Sequence, residues 1–182
     1  SSSSAASDVY KRQVLAVGGE HVTNDLAVGL KLTQSRAESL KMTHGSAVCD
    51  LSTAHRTVNS SRGVGIGDKQ ILIGDLHRIM NVRLEELFLL VRADLEQKKL
   101  MGSISGGILL SGGVARTPGI NELAQEIFRL NVLTSAEKRA DQDSRILRPE
   151  TMAGIGLAEH AVKHFKARGR RKKGFFKWLT QK

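Results

Sequence analysis

The chain has 182 residues, 40% of them hydrophobic, which fits one ordinary domain or two small ones with a filled core. No stretch of about 18 uncharged apolar residues is present, which excludes a membrane-spanning helix by sequence; the single cysteine, Cys49, excludes an internal disulfide and suits a reducing cytosol. The net charge of +10 belongs to the ends: Lys163 to Lys182 carries nine Lys or Arg and no Asp or Glu, whereas Val14 to Val162 sums to zero, so the charge describes a tail and not a folded duplex-binding face.

In chain order, "SSSSAASDVYKRQ" (residues 1–13) is low-complexity, has no apolar run behind it and is read as a non-native leader. "VLAVGGEHVTNDLAVGL" predicts a strand, a glycine turn at Gly18 and Gly19, then a helix with Val22, Leu26 and Leu30 on one face. "TQSRAESLKMTHG" predicts a second helix, entered at Thr33 or Ser35 and stopped by Gly45. A Ser- and Gly-rich region follows, ending in "GVGIGDKQILI", which suggests short strands.

"DLHRIMNVRLEELFLLVRADLEQKK" is the longest periodic segment. Leu76, Ile79, Met80, Leu84, Leu87, Val91 and Leu95 form one stripe, and its length as a helix is about 37 Å. "GGILLSGGVARTPGINELAQEIFRL" predicts a buried strand, a Gly-Gly turn, and a helix with Thr117 as N-cap and Pro118 at its first position. "NVLTS" predicts another strand. "PETMAGIGLAEHAVKHF" predicts a last helix on which Gly154 and Gly156 make a flat packing surface. Strands alternating with helices argue an α/β fold.

Four groups of residues carry candidate chemistry. Gly112 and Gly113 stand between a strand and a helix, where the lack of a Cβ lets backbone approach a flat ligand; a tight turn without a ligand has the same sequence. Glu38 and Lys41 share a helix face at i, i+3. A carboxylate there can accept from ribose hydroxyls and an ammonium can donate, but Ser35 and Glu38 also spell a capping box, which the local sequence favours. His44, Cys49, Asp50 and His55 are metal-ligand types at a spacing that matches no zinc pattern.

The fourth group is the tail. Phe175, Phe176, Trp178 and Leu179 would share one side of a helix beside Lys172, Lys173 and Lys177, the composition of an interfacial anchor. Packing on the body and disorder are the alternatives. Burying four such side chains gives roughly 6–10 kcal/mol at most, ordering about eight residues costs on the order of 8 kcal/mol, and each basic residue near anionic lipid returns about 1 kcal/mol. One tail is therefore expected to bind reversibly, and many linked tails to bind stably. Aromatics can also stack on single-stranded bases, but the neutral body offers no groove, so no nucleic-acid partner is expected.

In order and spacing, "VGGEHVTNDLAVGL", "RAESLKMTHG", "ILLSGGVARTPGINELAQEIF", "MAGIGLAEHA" and the aromatic tail resemble the C-terminal half of the FtsA family of bacterial cell-division proteins, actin-like ATPases, over Val14 to Lys182. The resemblance implies a partial actin-like (ribonuclease H-like) fold of class α/β. Residues 14–45 and 100–148 would form the nucleotide-binding subdomain and 46–99 an FtsZ-docking subdomain. Residues 149–166 would be a returning helix, 167–173 a basic tether and 174–182 a membrane-targeting helix. Glu38 and Lys41 would meet the ribose and adenine edge, Gly112 and Gly113 would form the adenosine motif with Val114 and Arg116 beside the base, and Gly18 and Gly19 would lie near the interdomain cleft.

The resemblance further implies ATP with Mg²⁺ as cofactor and three partners in the intact protein: the FtsZ C-terminal peptide, an anionic membrane surface and further copies of itself. The location implied is the cytoplasmic face of the inner membrane at the septum. The long helix, with Arg78, Arg83, Glu85 and Glu86, would be the docking face. The family's phosphate-gripping Asp-x-Gly-x-Gly-Thr is replaced here by the serine-rich leader, so this segment is expected to hold nucleotide weakly or not at all and not to hydrolyse it. An adaptor of another assembly, such as pilus machinery, is the alternative; it would lack the aromatic tail.

Overall fold

Val22 and Leu26 recur at four-residue spacing, and the computed structural model places both, with Thr23 and Ala27, on the buried side of α1 (Gly19–Gly29). Leu30, the C-cap, completes that stripe. The structure describes residues 13–59, 70–134, 151 and 154–162. Residues 14–17, expected as a strand, run into α1 with no strand ladder among the described residues. Valine-rich sequence favours extension, but a strand exists only when a neighbour takes its hydrogen bonds.

A short turn leads to α2 (Gln34–His44), entered at Thr33 and closed at Gly45, whose N–H returns to the Lys41 carbonyl at 3.1 Å. Next, β1 (Thr57–Asn59) pairs antiparallel with β2 (Gln70–Leu72), Val58 opposite Ile71. From β2 the chain enters α3 (Ile73–Gln97) directly, two residues earlier than the periodicity suggested.

The buried positions of α3 are Ile73, Leu76, His77, Met80, Leu84 and Phe88, while Ile79, Leu87, Val91 and Leu95 are partly buried. The stripe read from sequence is therefore the packed face. Phe88 was missing from it, although it lies one turn beyond Leu84; its ring meets Phe128 edge-on at 5.7 Å. Burial of such a stripe against other helices, more than local propensity, stabilises a helix of this kind.

Then β3 (Ile108–Leu110), α4 (Ile120–Phe128) and β4 (Val132–Thr134) form a β-α-β unit, with the strands parallel and Ile108 opposite Val132. The start of α4 differs from expectation. Thr117 is not its N-cap: the Ile120 N–H reaches the Thr117 carbonyl, making Thr117-Pro118-Gly119 a turn, and Gly119 caps the helix at φ 75°. A Cβ on Gly119 would stand 2.4 Å from Cγ2 of Val48. Both the left-handed backbone and this approach require glycine.

α1, α2, α3, α4, β2 and β4 contribute to one hydrophobic core. Three hydrogen bonds pin the end of α2 and the loop after it within this core. Ala47 N–H donates to the Pro118 carbonyl at 2.8 Å, Asn81 Nδ2 donates to the Ala47 carbonyl at 2.7 Å, and the His77 ring nitrogen Nε2 donates to the His44 carbonyl at 2.9 Å. On the β3–β4 pair, the cross-strand partners Leu109 and Leu133 share the exposed side. A further helix, α5 (154–162), leaves Leu157 and Val162 exposed, and no atom of the described residues lies within 4 Å of a Cβ built on Gly154 or Gly156. The basic tether and aromatic tail lie outside the described residues.

Candidate functional site

A cleft of about 820 Å³ opens where α1 and α2 face the turn that follows β3. Gly19 and Thr23 border it from α1, Glu38 and Lys41 from α2, and Gly113, Val114 and Arg116 from the turn, while Met80 and Leu84 of α3 supply apolar lining. Apolar lining with a few convergent polar groups is the usual character of a small-molecule site.

The polar groups form a closed network. Lys41 Nζ donates to the Gly19 carbonyl at 3.1 Å and to Thr23 Oγ1 at 2.7 Å, and pairs with Glu38 Oε2 at 2.6 Å. Those contacts use all three ammonium hydrogens. Thr23 Oγ1 in turn lies 2.5 Å from Glu38 Oε2 and 3.2 Å from the Gly19 carbonyl. Burial pushes the Glu38 carboxyl up, but the hydrogen bonds from Lys41 and Thr23 and the ammonium charge outweigh it, leaving the carboxyl below its ordinary value.

The capping-box reading of Glu38 is overturned. The N-cap is Thr33, Ser35 sits within the first turn, and no side chain caps the helix. Glu38 is thereby placed past the first turn, on the cleft side, where Lys41 and Thr23 hold it. Thr23 was missed by sequence reasoning. The available signal was a hydroxyl-bearing residue within the buried face of α1, beside Val22 and Leu26.

Gly19 comes close to the turn: a Cβ there would lie 2.8 Å from Cγ2 of Val114. The Val114 side chain therefore packs against bare backbone at the start of α1. Gly113, Val114 and Arg116 join Gly19, Glu38 and Lys41 around the cleft, and Gly18 and Gly112 stand outside its lining. No atom of the described residues lies within 4 Å of a Cβ built on Gly112 or Gly113.

The residues assigned to docking lie apart from the cleft, along α3. Arg78, Glu85 and Glu86 are exposed, with Val82, Leu89 and Leu90 exposed beside them. Arg83, also assigned to docking, is partly covered: its guanidinium grips Asp25 of α1 and also meets Glu86. Both side chains of the Arg83–Asp25 pair are about three-quarters covered, at 27% and 26% exposure. Among the described residues no three His, Cys, Asp or Glu converge as metal ligands; Asp50 instead accepts from the Ser52 N–H and hydroxyl at 2.9 and 2.7 Å. No described helix is long and apolar enough to cross a membrane.

The family model for cell division protein FtsA matches residues 4–156. The chain belongs to the FtsA family. It is 28% identical over 160 residues to cell division protein FtsA of Bacillus subtilis, covering 87% of this chain and 35% of that protein. To FtsA of Neisseria meningitidis it is 31% identical over 155 residues, covering 82% of this chain and 37% of the relative. It thus spans about a third of the length of these relatives. Among solved structures, MreB5 of Spiroplasma citri bound to AMPPNP superposes with a TM-score of 0.63 at 20% identity, covering 85% of this chain and 47% of that one. The fold is a partial actin-like fold of mixed helix and sheet. Relationship to cell-division proteins does not favour the pilus-type alternative.

Proposed function

We propose that the chain is the nucleoside-holding and docking portion of an actin-like tether that links the FtsZ ring to the inner face of the cytoplasmic membrane at the septum. The observation that carries this reading is the cleft: in a chain of the FtsA family, the Glu38–Lys41–Thr23 network faces the Gly113–Arg116 turn across about 820 Å³. These groups suit the adenosine half of ATP. Glu38 would accept from ribose hydroxyls, and the open backbone at Gly113 with Val114 would bear on the flat base, Arg116 standing beside it. Lys41, with its hydrogens committed within the protein, would orient Glu38 and not reach for the ligand itself. Among the described residues no three His, Cys, Asp or Glu converge to hold Mg²⁺, and the reading concerns the nucleoside portion of ATP.

The exposed side of α3, with Arg78, Glu85, Glu86, Val82 and Leu89, offers mixed charge and apolar surface to the FtsZ C-terminal peptide. Phe175, Phe176, Trp178 and Leu179, with Lys172, Lys173 and Lys177, would supply the grip on anionic lipid, made durable by self-association. Co-sedimentation with phosphatidylglycerol vesicles tests the tether. FtsZ is expected to pellet with vesicles only when the chain is present, and Trp178→Glu is expected to release both. FtsZ left in the supernatant by the unmodified chain refutes tethering; pelleting that survives the substitution refutes the anchor.

A further inference from the structure

Glu38 is held through one oxygen only. Oε2 takes Lys41 and Thr23, whereas Oε1 has no hydrogen bond among the described residues, and the side chain, 44% exposed, borders the cleft. Thr23 itself is 5% exposed and sits under this carboxylate.

Proton counting fixes the role of the hydroxyl. Lys41 has no acceptor capacity, so its contact with Thr23 Oγ1 uses a lone pair of the hydroxyl oxygen. The single hydroxyl hydrogen then has two possible acceptors, Glu38 Oε2 and the Gly19 carbonyl. The Gly19 carbonyl already accepts from Lys41, and a hydrogen bond to a carboxylate is the stronger of the two. The hydrogen therefore goes to Glu38. With Oε2 bound on both sides, the carboxylate cannot rotate without breaking a charge-assisted bond, and Oε1 remains the acceptor available to a ligand.

We propose that Thr23 is the positioning residue that makes this cleft selective for a vicinal diol, by presenting Glu38 Oε1 in one fixed orientation to the hydroxyls of a bound sugar. This rests on the nucleoside reading above. A ligand without those hydroxyls leaves an aligned carboxylate oxygen unmatched, and losing a hydrogen bond to a charged group is worth about tenfold or more in affinity. Without Thr23 the carboxylate keeps Lys41 but gains freedom to turn, so the fixed presentation and its selectivity are lost.

The test uses the full chain, with adenosine and 2′,3′-dideoxyadenosine as probes, titrated by NMR chemical shift. The unmodified chain is expected to prefer adenosine about tenfold. Thr23→Val, nearly isosteric and lacking the hydroxyl, is expected to reduce that ratio to within about twofold. Thr23→Ser restores the preference. If Thr23→Val does not fold, Thr23→Ala serves for the same ratio. A ratio that stays near tenfold without the hydroxyl overturns the role of Thr23 and leaves the nucleoside cleft standing. Binding of both probes without discrimination by the unmodified chain also overturns it. Failure to bind adenosine removes the nucleoside reading, and this proposal with it.

Discussion

Arg83 of α3 holds Asp25 of α1 with two of its guanidinium nitrogens, Nη2 lying 3.0 Å from Oδ1. The pair joins residues 58 positions apart and closes the side of the α1–α3 contact. Paired, partly covered Arg–carboxylate contacts couple more strongly than single exposed pairs one helical turn apart. A double-mutant cycle with Arg83→Met and Asp25→Asn, followed by urea denaturation, should give a larger coupling than the same cycle on Arg92 and Glu96, an exposed i, i+4 pair. Equal couplings would show that the clamp is a surface pair in solution.

Leu84 is 1% exposed, sits at the centre of α3 and also borders the cleft. Leu84→Ala should lower the unfolding free energy by about 2–5 kcal/mol, the span set by how far neighbours relax into the cavity. Leu89→Ala, on the exposed side of the same helix, should change it by less than about 0.5 kcal/mol. Denaturant midpoints at constant slope read both values; similar losses would overturn the burial contrast between the two sides of α3.

Gly19→Ala places a methyl 2.8 Å from Cγ2 of Val114. Valine is branched at Cβ and cannot swing its methyls away cheaply. The substitution should cost about 1–3 kcal/mol and reduce adenosine binding, because the start of α1 and the turn are pushed apart. Val114→Ala in the same chain should recover most of the lost stability. A second substitution that adds to the loss would refute a steric cause.

The Glu38 carboxyl titrates below its ordinary value of 4.5, since its bonds to Lys41 and Thr23 outweigh the burial that acts against them. A depressed folded value means that its stabilising contribution is complete above 4.5 and disappears as pH falls through the lower folded midpoint. Carboxyl-carbon NMR should place that midpoint below 4.5, and Lys41→Met should raise it. A midpoint at or above 4.5 would mean that the network does not form in solution.

The helices were legible because their information is local. The i, i+3, i+4 recurrence in α1, α3 and α4 marks the buried sides, and Gly45 closes α2 where the sequence placed it. Features set by distant neighbours were not legible. Thr117 looked like a cap, but the helix is capped by Gly119 in a left-handed turn, where Val48, far back in the chain, leaves no room for a Cβ. Glu38 looked like part of a capping box because Thr23, the hydroxyl that holds it, comes from another helix. The pairing of Arg83, read from sequence as part of the docking face, was not legible because Asp25 lies on α1. The strand expected at residues 14–17 depended on a pairing partner that local sequence does not specify.

Leu109 and Leu133 stand side by side on the outer face of the β3–β4 pair, at 50% and 37% exposure. Parallel strands are normally roofed on both sides. Left wet, this leucine patch gives the purified chain a colloidal liability: light scattering should rise with concentration and warming, and Leu109→Lys should clear the solution without changing its circular dichroism.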